Sequence, residues 1–189
     1  MWTLTVKAGS ACARAVSSSR SFLPKIWIEQ VAHLHFMCGL VCAGKSTVAS
    51  GLVAKERGIL LAEDEWLSPL FGAEMKTLRD YVTYSQRLKT VLQPHLLSLL
   101  AADMTLVLDF PANTPEQRLW LHGLSEQAGC SHTLHFLDTP PEECKARLQI
   151  RNASGEHPFA VTDAQFDQIA AHFQRPVEDE GFNIKTYKQ

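Results

Sequence analysis

The chain has 189 residues, with 18 Lys+Arg against 20 Asp+Glu, a formal net charge of −2 and 46% hydrophobic residues. That length suits one domain with a sizeable core, and the charge excludes a global basic field recruiting nucleic acid or an anionic membrane. No apolar run approaches the roughly 18 residues of a membrane span, and Cys12, Cys38, Cys42, Cys130 and Cys144 are odd in number without a C-x-x-C pair, implying neither a disulfide framework nor a zinc site but a reducing, cytoplasmic setting.

Residues 1–30 differ from the rest. No acidic residue precedes Glu29, while Lys7, Arg14, Arg20 and Lys25 interrupt a Ser/Ala-rich stretch. Such an N-terminus can be an organelle transit peptide, which would make the protein organellar. Its poor amphipathicity favours a disordered extension, or a start codon assigned too far upstream. The folded domain is expected over 31–189.

The apolar segment Val31–Cys38 then runs as a strand into Gly39-Leu40-Val41-Cys42-Ala43-Gly44-Lys45-Ser46-Thr47, which matches G-x-x-x-x-G-K-[ST]. A helix is expected over Thr47–Arg57, stopping at Gly58 as its C′ residue. Ile59–Ala62 reads as a short buried parallel strand. From Glu74 to Ala102 the pattern is helical, with Pro94 expected to separate two helices. Met104–Leu108 is the third strand. Thr114-Pro115-Glu116-Gln117 reads as N-cap, Pro at N1 and a capping-box Gln, opening a helix with Trp120, Leu121, Leu124 and Ala128 that ends at Gly129. His132–Leu137 is a fourth strand, and Thr139-Pro140-Pro141-Glu142 starts a helix by the same capping logic. Thr162 and Gln165 open another, whose Phe166, Ile169, Ala170 and Phe173 share a face. Phe182–Tyr187 is the last strand. This alternation predicts an α/β, three-layer αβα sandwich on a parallel sheet, with ligands outside the carboxyl ends of the strands.

The chemistry-bearing residues follow from that edge. Gly39 and Gly44 let the loop turn its N–H groups around an anion, and the next helix adds its N-terminal donors. Lys45 suits the β- and γ-phosphates, Ser46 a Mg²⁺ ion, and Thr47 the α-phosphate. Cys42 occupies a free loop position. Asp109, ending the third strand, can hold magnesium through water or initiate a turn before Pro111. Asp64, after the second strand, can orient an acceptor hydroxyl and take its proton, or Glu63-Asp64-Glu65 can be a solvated turn capping the next helix. Glu63 and Glu65 point elsewhere if Asp64 points in. Asp138 also follows a strand. Arg147 and Arg151, four apart on a helix, precede a Gly-hinged flap over 152–158 and suit γ-phosphate stabilisation; the alternative is a surface Glu143–Arg147 pair. Lys76, Arg79, Arg87 and Lys89 read as a solvated positive face, the alternative being a surface that meets an acidic acceptor. His33, His35, His132 and His135 read as sheet-packing residues.

Together, Gly39–Thr47, Asp64, Asp109-Phe110-Pro111, Arg147 with Arg151, and the closing Pro176–Phe182 resemble the small P-loop kinases. This phosphotransferase group contains chloramphenicol phosphotransferase, zeta-type toxins, polynucleotide 5′-kinases and AAA-domain predicted kinases. The resemblance covers about Ala32–Tyr187. It implies a five-stranded parallel sheet with a small lid, ATP with Mg²⁺, and Asp64 as the base that positions an acceptor hydroxyl. Ala112 stands where a nucleoside-monophosphate kinase would carry arginine, which disfavours that acceptor. The expected activity is phosphoryl transfer from Mg-ATP to a small-molecule hydroxyl, with a nucleic-acid end less favoured by the charge. Rival readings are an ATP-hydrolysing regulatory protein and a relative with structural nucleotide binding alone. No N-K-x-D guanine-reading motif is present, so ATP is preferred over GTP.

Overall fold

A computed structural model describes residues 31–155 and 159–188. The readings of 1–30 and of flap residues 156–158 lie outside them. The chain order is β1 (His33–Cys38), α1 (Lys45–Glu56), β2 (Ile59–Ala62), α2 (Glu63–Phe71), α3 (Leu78–Ala101), β3 (Leu106–Pro111), α4 (Pro115–Ala128), β4 (Ser131–Asp138), α5 (Pro141–Ser154), α6 (Asp163–His172), a 3-10 turn (Glu178–Glu180) and β5 (Ile184–Lys188). The strands form one parallel sheet in the order β2-β3-β1-β4-β5. This is the expected three-layer sandwich.

Period-two alternation divides the core between the two faces. Leu34, Phe36, Leu106, Leu108, Leu134 and Phe136 pack against Leu88, Leu92, Leu96 and Leu100 of α3 and Leu121 and Leu124 of α4. On the other face, Met37 and Val107 meet Ala49 and Leu52 of α1, while Leu137 meets Cys144, Leu148 and Phe166 of α5 and α6. Among the described residues no helix is long and apolar enough to cross a membrane.

Several local expectations need correction. Pro94 does not divide α3, which runs unbroken for 24 residues. Its four leucines at spacing four hold one face against the sheet, and Pro94 is exposed, where water can satisfy the carbonyl that loses its amide donor. The break falls earlier, ahead of Thr77, whose side chain makes a capping box with Asp80. At the end of α1 the left-handed residue is Arg57 (φ 54°), not Gly58. Gly58 serves close approach instead, since a Cβ there would lie 3.1 Å from the Thr105 carbonyl oxygen. Thr139 does not cap α5; the N-cap is Pro140, and the Thr139 hydroxyl donates to the Ala43 carbonyl at 3.2 Å. The capping boxes at Thr114 and Thr162 form as expected. Asn152–Ser154 belong to α5 rather than to a flap.

Candidate active site

The loop between β1 and α1 sits at the carboxyl edge of the sheet's central strand. Gly39 (φ 152°) and Gly44 (φ 98°) have backbones that L side chains rarely adopt. At Gly39 space is also short, because a Cβ would come within 3.0 Å of the Leu137 carbonyl oxygen. Cys42 is held left-handed as well, at φ 62°. The turn is braced from several elements. Ala43 N–H donates to the Leu40 carbonyl at 3.1 Å. Gly39 N–H donates to Asn113 Oδ1 at 3.0 Å. Lys45 Nζ donates to the carbonyls of Gly39 and Leu40 at 2.9 and 2.7 Å.

The first turn of α1 is shaped for an anion. It contains no acidic residue and no side-chain cap, so its amide donors and dipole are not neutralised from within the helix. Ser46 and Thr47 are exposed there and Val41 is half-buried. Burial lowers the Lys45 pKa, and the carboxylates of Asp109, foremost, and Asp64 pull it back up. Lys45 therefore lies within the field of both acids. The sheet explains their meeting: β2 and β3 pair in register with Ala62 opposite Asp109, and Asp64 follows two residues later in the first turn of α2.

The three consecutive acids divide as their helical directions require. Glu65 is exposed and Asp64 half-buried, while Glu63 is buried. Glu63 accepts from Tyr81 Oη at 2.5 Å and Ser85 Oγ at 2.6 Å, and lies 3.6 Å from Lys89 Nζ. Burial, the Glu63 charge and then the Asp64 charge push the Tyr81 phenol well above its ordinary pKa. Lys89 thus leaves the expected solvated face: it is buried, with its ammonium 5.5 Å from the centre of the Trp120 ring.

The remaining candidates differ in their partners. Arg147 donates to Glu143 at 2.5 Å on its own helix. Arg151 has its Nε buried without a hydrogen-bond partner among the described residues. Asp138 forms a bidentate pair with Arg175 at 2.7 and 2.6 Å. Among the described residues no group of three or more His, Cys, Asp or Glu side chains could hold a metal ion. A hard cation sharing its shell with phosphate and water needs fewer protein donors, and the Ser46 hydroxyl with the Asp109 carboxylate is an oxygen set that fits one.

Three supporting residues escape sequence reasoning. Asn113 pins Gly39 from the end of β3. Tyr81 reaches Glu63 from α3. Arg118, fully buried, clasps Glu180 through Nε and Nη2 at 2.6 and 2.7 Å and donates to the carbonyls of Ala112 and Gln174. Only Arg118 left a trace, as a cation in line with Leu121 and Ser125 on the apolar face of α4.

Residues 34–176 match the sequence model of an AAA-domain family. The chain belongs to this AAA-domain family. Solved structures share the fold: a candidate kinase from Chloroflexus aurantiacus is 17% identical, with TM-score 0.67, over 85% of this chain and 86% of its own. The APS kinase CysC of Mycobacterium tuberculosis, solved with AMPPNP and APS, is 22% identical with TM-score 0.56, over 84% and 88%. Kti12 from Chaetomium thermophilum, solved with ADP-AlF3, is 14% identical with TM-score 0.60, over 82% and 88%. No curated protein matches the chain in sequence. This AAA-domain protein therefore has the small P-loop kinase fold, shared by proteins solved with adenine nucleotides.

Proposed function

We propose that this AAA-domain protein is an ATP-dependent phosphotransferase that moves the γ-phosphoryl group of Mg-ATP to a hydroxyl of a small molecule. The observation that carries this reading is Lys45, folded over an amide-lined loop and within the field of two carboxylates from adjacent strand ends. Nucleotide binding needs the loop and the cation. A second acid, besides the metal-type acid, is what an acceptor hydroxyl needs.

The amides of residues 39–47 and the α1 dipole hold the phosphates. Lys45 neutralises charge on the β- and γ-oxygens as it shifts toward the leaving group. Ser46 and Asp109 would hold a magnesium ion, which supplies further charge neutralisation on the phosphate oxygens. Asp64 orients the acceptor hydroxyl and takes its proton as the new O–P bond forms. The bond from the γ-phosphorus to the β,γ-bridging oxygen breaks, and ADP leaves with that electron pair. Arg147 and Arg151 approach the γ-phosphoryl group from α5. The Arg147–Glu143 pair is well exposed, with side chains 38% and 43% accessible, so releasing it costs about 1 kcal/mol or less.

The test is transfer of labelled γ-phosphate into a panel of metabolites and oligonucleotides, comparing wild type with Asp64→Asn. A labelled small molecule, lost by about 10²–10⁴-fold in the variant, is expected. Undiminished transfer by Asp64→Asn would end this mechanism. A labelled oligonucleotide end would reassign the acceptor, and phosphate release alone would favour the regulatory hydrolase.

A further inference from the structure

Glu63 is buried one residue before Asp64, yet it cannot be the base, because both its oxygens are occupied. Oε2 takes the Tyr81 hydroxyl at 2.5 Å, and Oε1 takes the Ser85 hydroxyl at 2.6 Å with Lys89 Nζ at 3.6 Å. The three partners lie at positions 81, 85 and 89, one per turn along a single stripe of α3. The rest of that helix's inner face is leucine. Packing alone does not call for such a stripe. A buried ion pair with two hydroxyls is about as stable as apolar side chains of the same volume, and its distinctive yield is a single fixed geometry.

What it fixes is the first turn of α2. That helix has Ala62 as its N-cap and no side-chain cap. Its entry is held instead by Glu63, drawn into the core one residue before Asp64. We propose that Tyr81, Ser85 and Lys89, acting through Glu63, are positioning residues that aim Asp64 at the acceptor hydroxyl. The inference rests on the phosphotransferase reading and extends it to a buried polar stripe that touches neither nucleotide nor acceptor. Two further observations agree. The Tyr81 phenol, bonded to Glu63, also lies within the field of Asp64 and Asp109, and its raised pKa keeps it a donor. Lys89 is held from a third element, its ammonium facing the Trp120 ring of α4, so the aim of Asp64 is referred to α4 as well as α3.

The experiment uses the full chain with Mg-ATP as the probe and water as the acceptor, following phosphate release. The variants are Asp64→Asn, Tyr81→Phe, Lys89→Met, Lys89→Arg and the double variant Asp64→Asn/Tyr81→Phe, each assayed below its own unfolding temperature. Tyr81→Phe and Lys89→Met are expected to lower kcat at least 10-fold with KM for ATP changed less than 2-fold. Lys89→Arg, which keeps the charge, should recover most of the loss. The double variant should be no slower than Asp64→Asn alone, since a positioning group has nothing to aim once the base is gone. A purely structural stripe would lower the unfolding temperature and leave kcat unchanged, overturning the inference. So would losses that multiply in the double variant. Full release by Asp64→Asn would show that Asp64 does not activate the attacking oxygen and would overturn the inference too, while transfer of labelled γ-phosphate to a hydroxyl acceptor remains the separate test of the phosphotransferase reading.

Discussion

Lys45 donates to the Gly39 and Leu40 carbonyls, so it braces the loop as well as charging it. Lys45→Met removes both roles at once. Hydrogen bonds from a charged group contribute about 1.5–3 kcal/mol, so Mg-ATP should bind roughly 10–100-fold more weakly, as read by titration calorimetry. Lys45→Arg should not restore it, because a planar guanidinium cannot replace a compact ammonium between two carbonyls. Unchanged affinity in Lys45→Met would place the nucleotide elsewhere. Arg57 offers a test without ligand. A side chain held at φ 54° carries left-handed strain that glycine lacks. Arg57→Gly should therefore gain about 1 kcal/mol in urea unfolding, despite glycine's larger chain entropy. A loss of stability would show that the Arg57 side chain does more than end a helix.

At the scale of elements, the Arg118 clasp joins α4 to the segment that leads into β5. Arg118 and Glu180 are 62 residues apart, and the same guanidinium holds the Gln174 carbonyl. Removing one partner of a buried pair costs about 3–5 kcal/mol. Arg118→Ala should lose that much and raise amide exchange over 174–184 before α1 is affected. Pro94→Ala should go the other way, gaining as much as about 3 kcal/mol, the helix-interior difference between the two residues. A neutral result would show that α3 has already absorbed the missing hydrogen bond. These contrasts also explain what the sequence could convey. Capping boxes at Thr114 and Thr162, the phosphate loop and every strand were legible because their signals lie within a few adjacent residues. The placement of Asp64 and Asp109 at one edge was legible because a parallel sheet sends all strand ends there. Thr139 was misread because its hydroxyl is taken by Ala43, 96 residues away. Asn113, Tyr81 and the burial of Lys89 depend on partners 18 to 74 residues distant, for which local periodicity carries no signal. The helix over Glu63–Phe71 was masked by Pro69 and by three acids that read equally well as a turn.

Across the whole molecule, one polar chain runs along the α1 face of the sheet and links α1 to the edge strand. Its atoms are Glu56 Oε2, His35 Nε2, His35 Nδ1, His135 Nε2, His135 Nδ1 and Tyr187 Oη, with separations of 2.8, 2.9 and 2.9 Å. With both imidazoles neutral every group is satisfied in one direction: Tyr187 donates to His135, His135 to His35, and His35 to Glu56. One added proton can be taken by reversing the chain, but a second sets two N–H donors against each other. Burial accordingly lowers the pKa of His35 despite Glu56, and lowers that of His135 to about 4, with His35 and Lys185 adding to the effect. His33, itself lowered chiefly by burial, and Lys55 are the other charged or titratable neighbours. A histidine whose folded pKa lies below its unfolded value of 6.5 leaves stability intact above pH 6.5 and erodes it as pH falls toward 4, since the unfolded chain binds the proton first. For His135 the loss should reach about 3 kcal/mol. Carboxylates such as Glu180, held low by Arg118, erode stability too, but below about pH 4.5, so the interval from 6.5 to 5 isolates the imidazoles. His135→Gln separates them further: its amide can donate to His35 and accept from Tyr187 without titrating. Urea unfolding between pH 7 and 5 should fall steeply for wild type and more gently for His135→Gln, and parallel curves would remove His135 as the source.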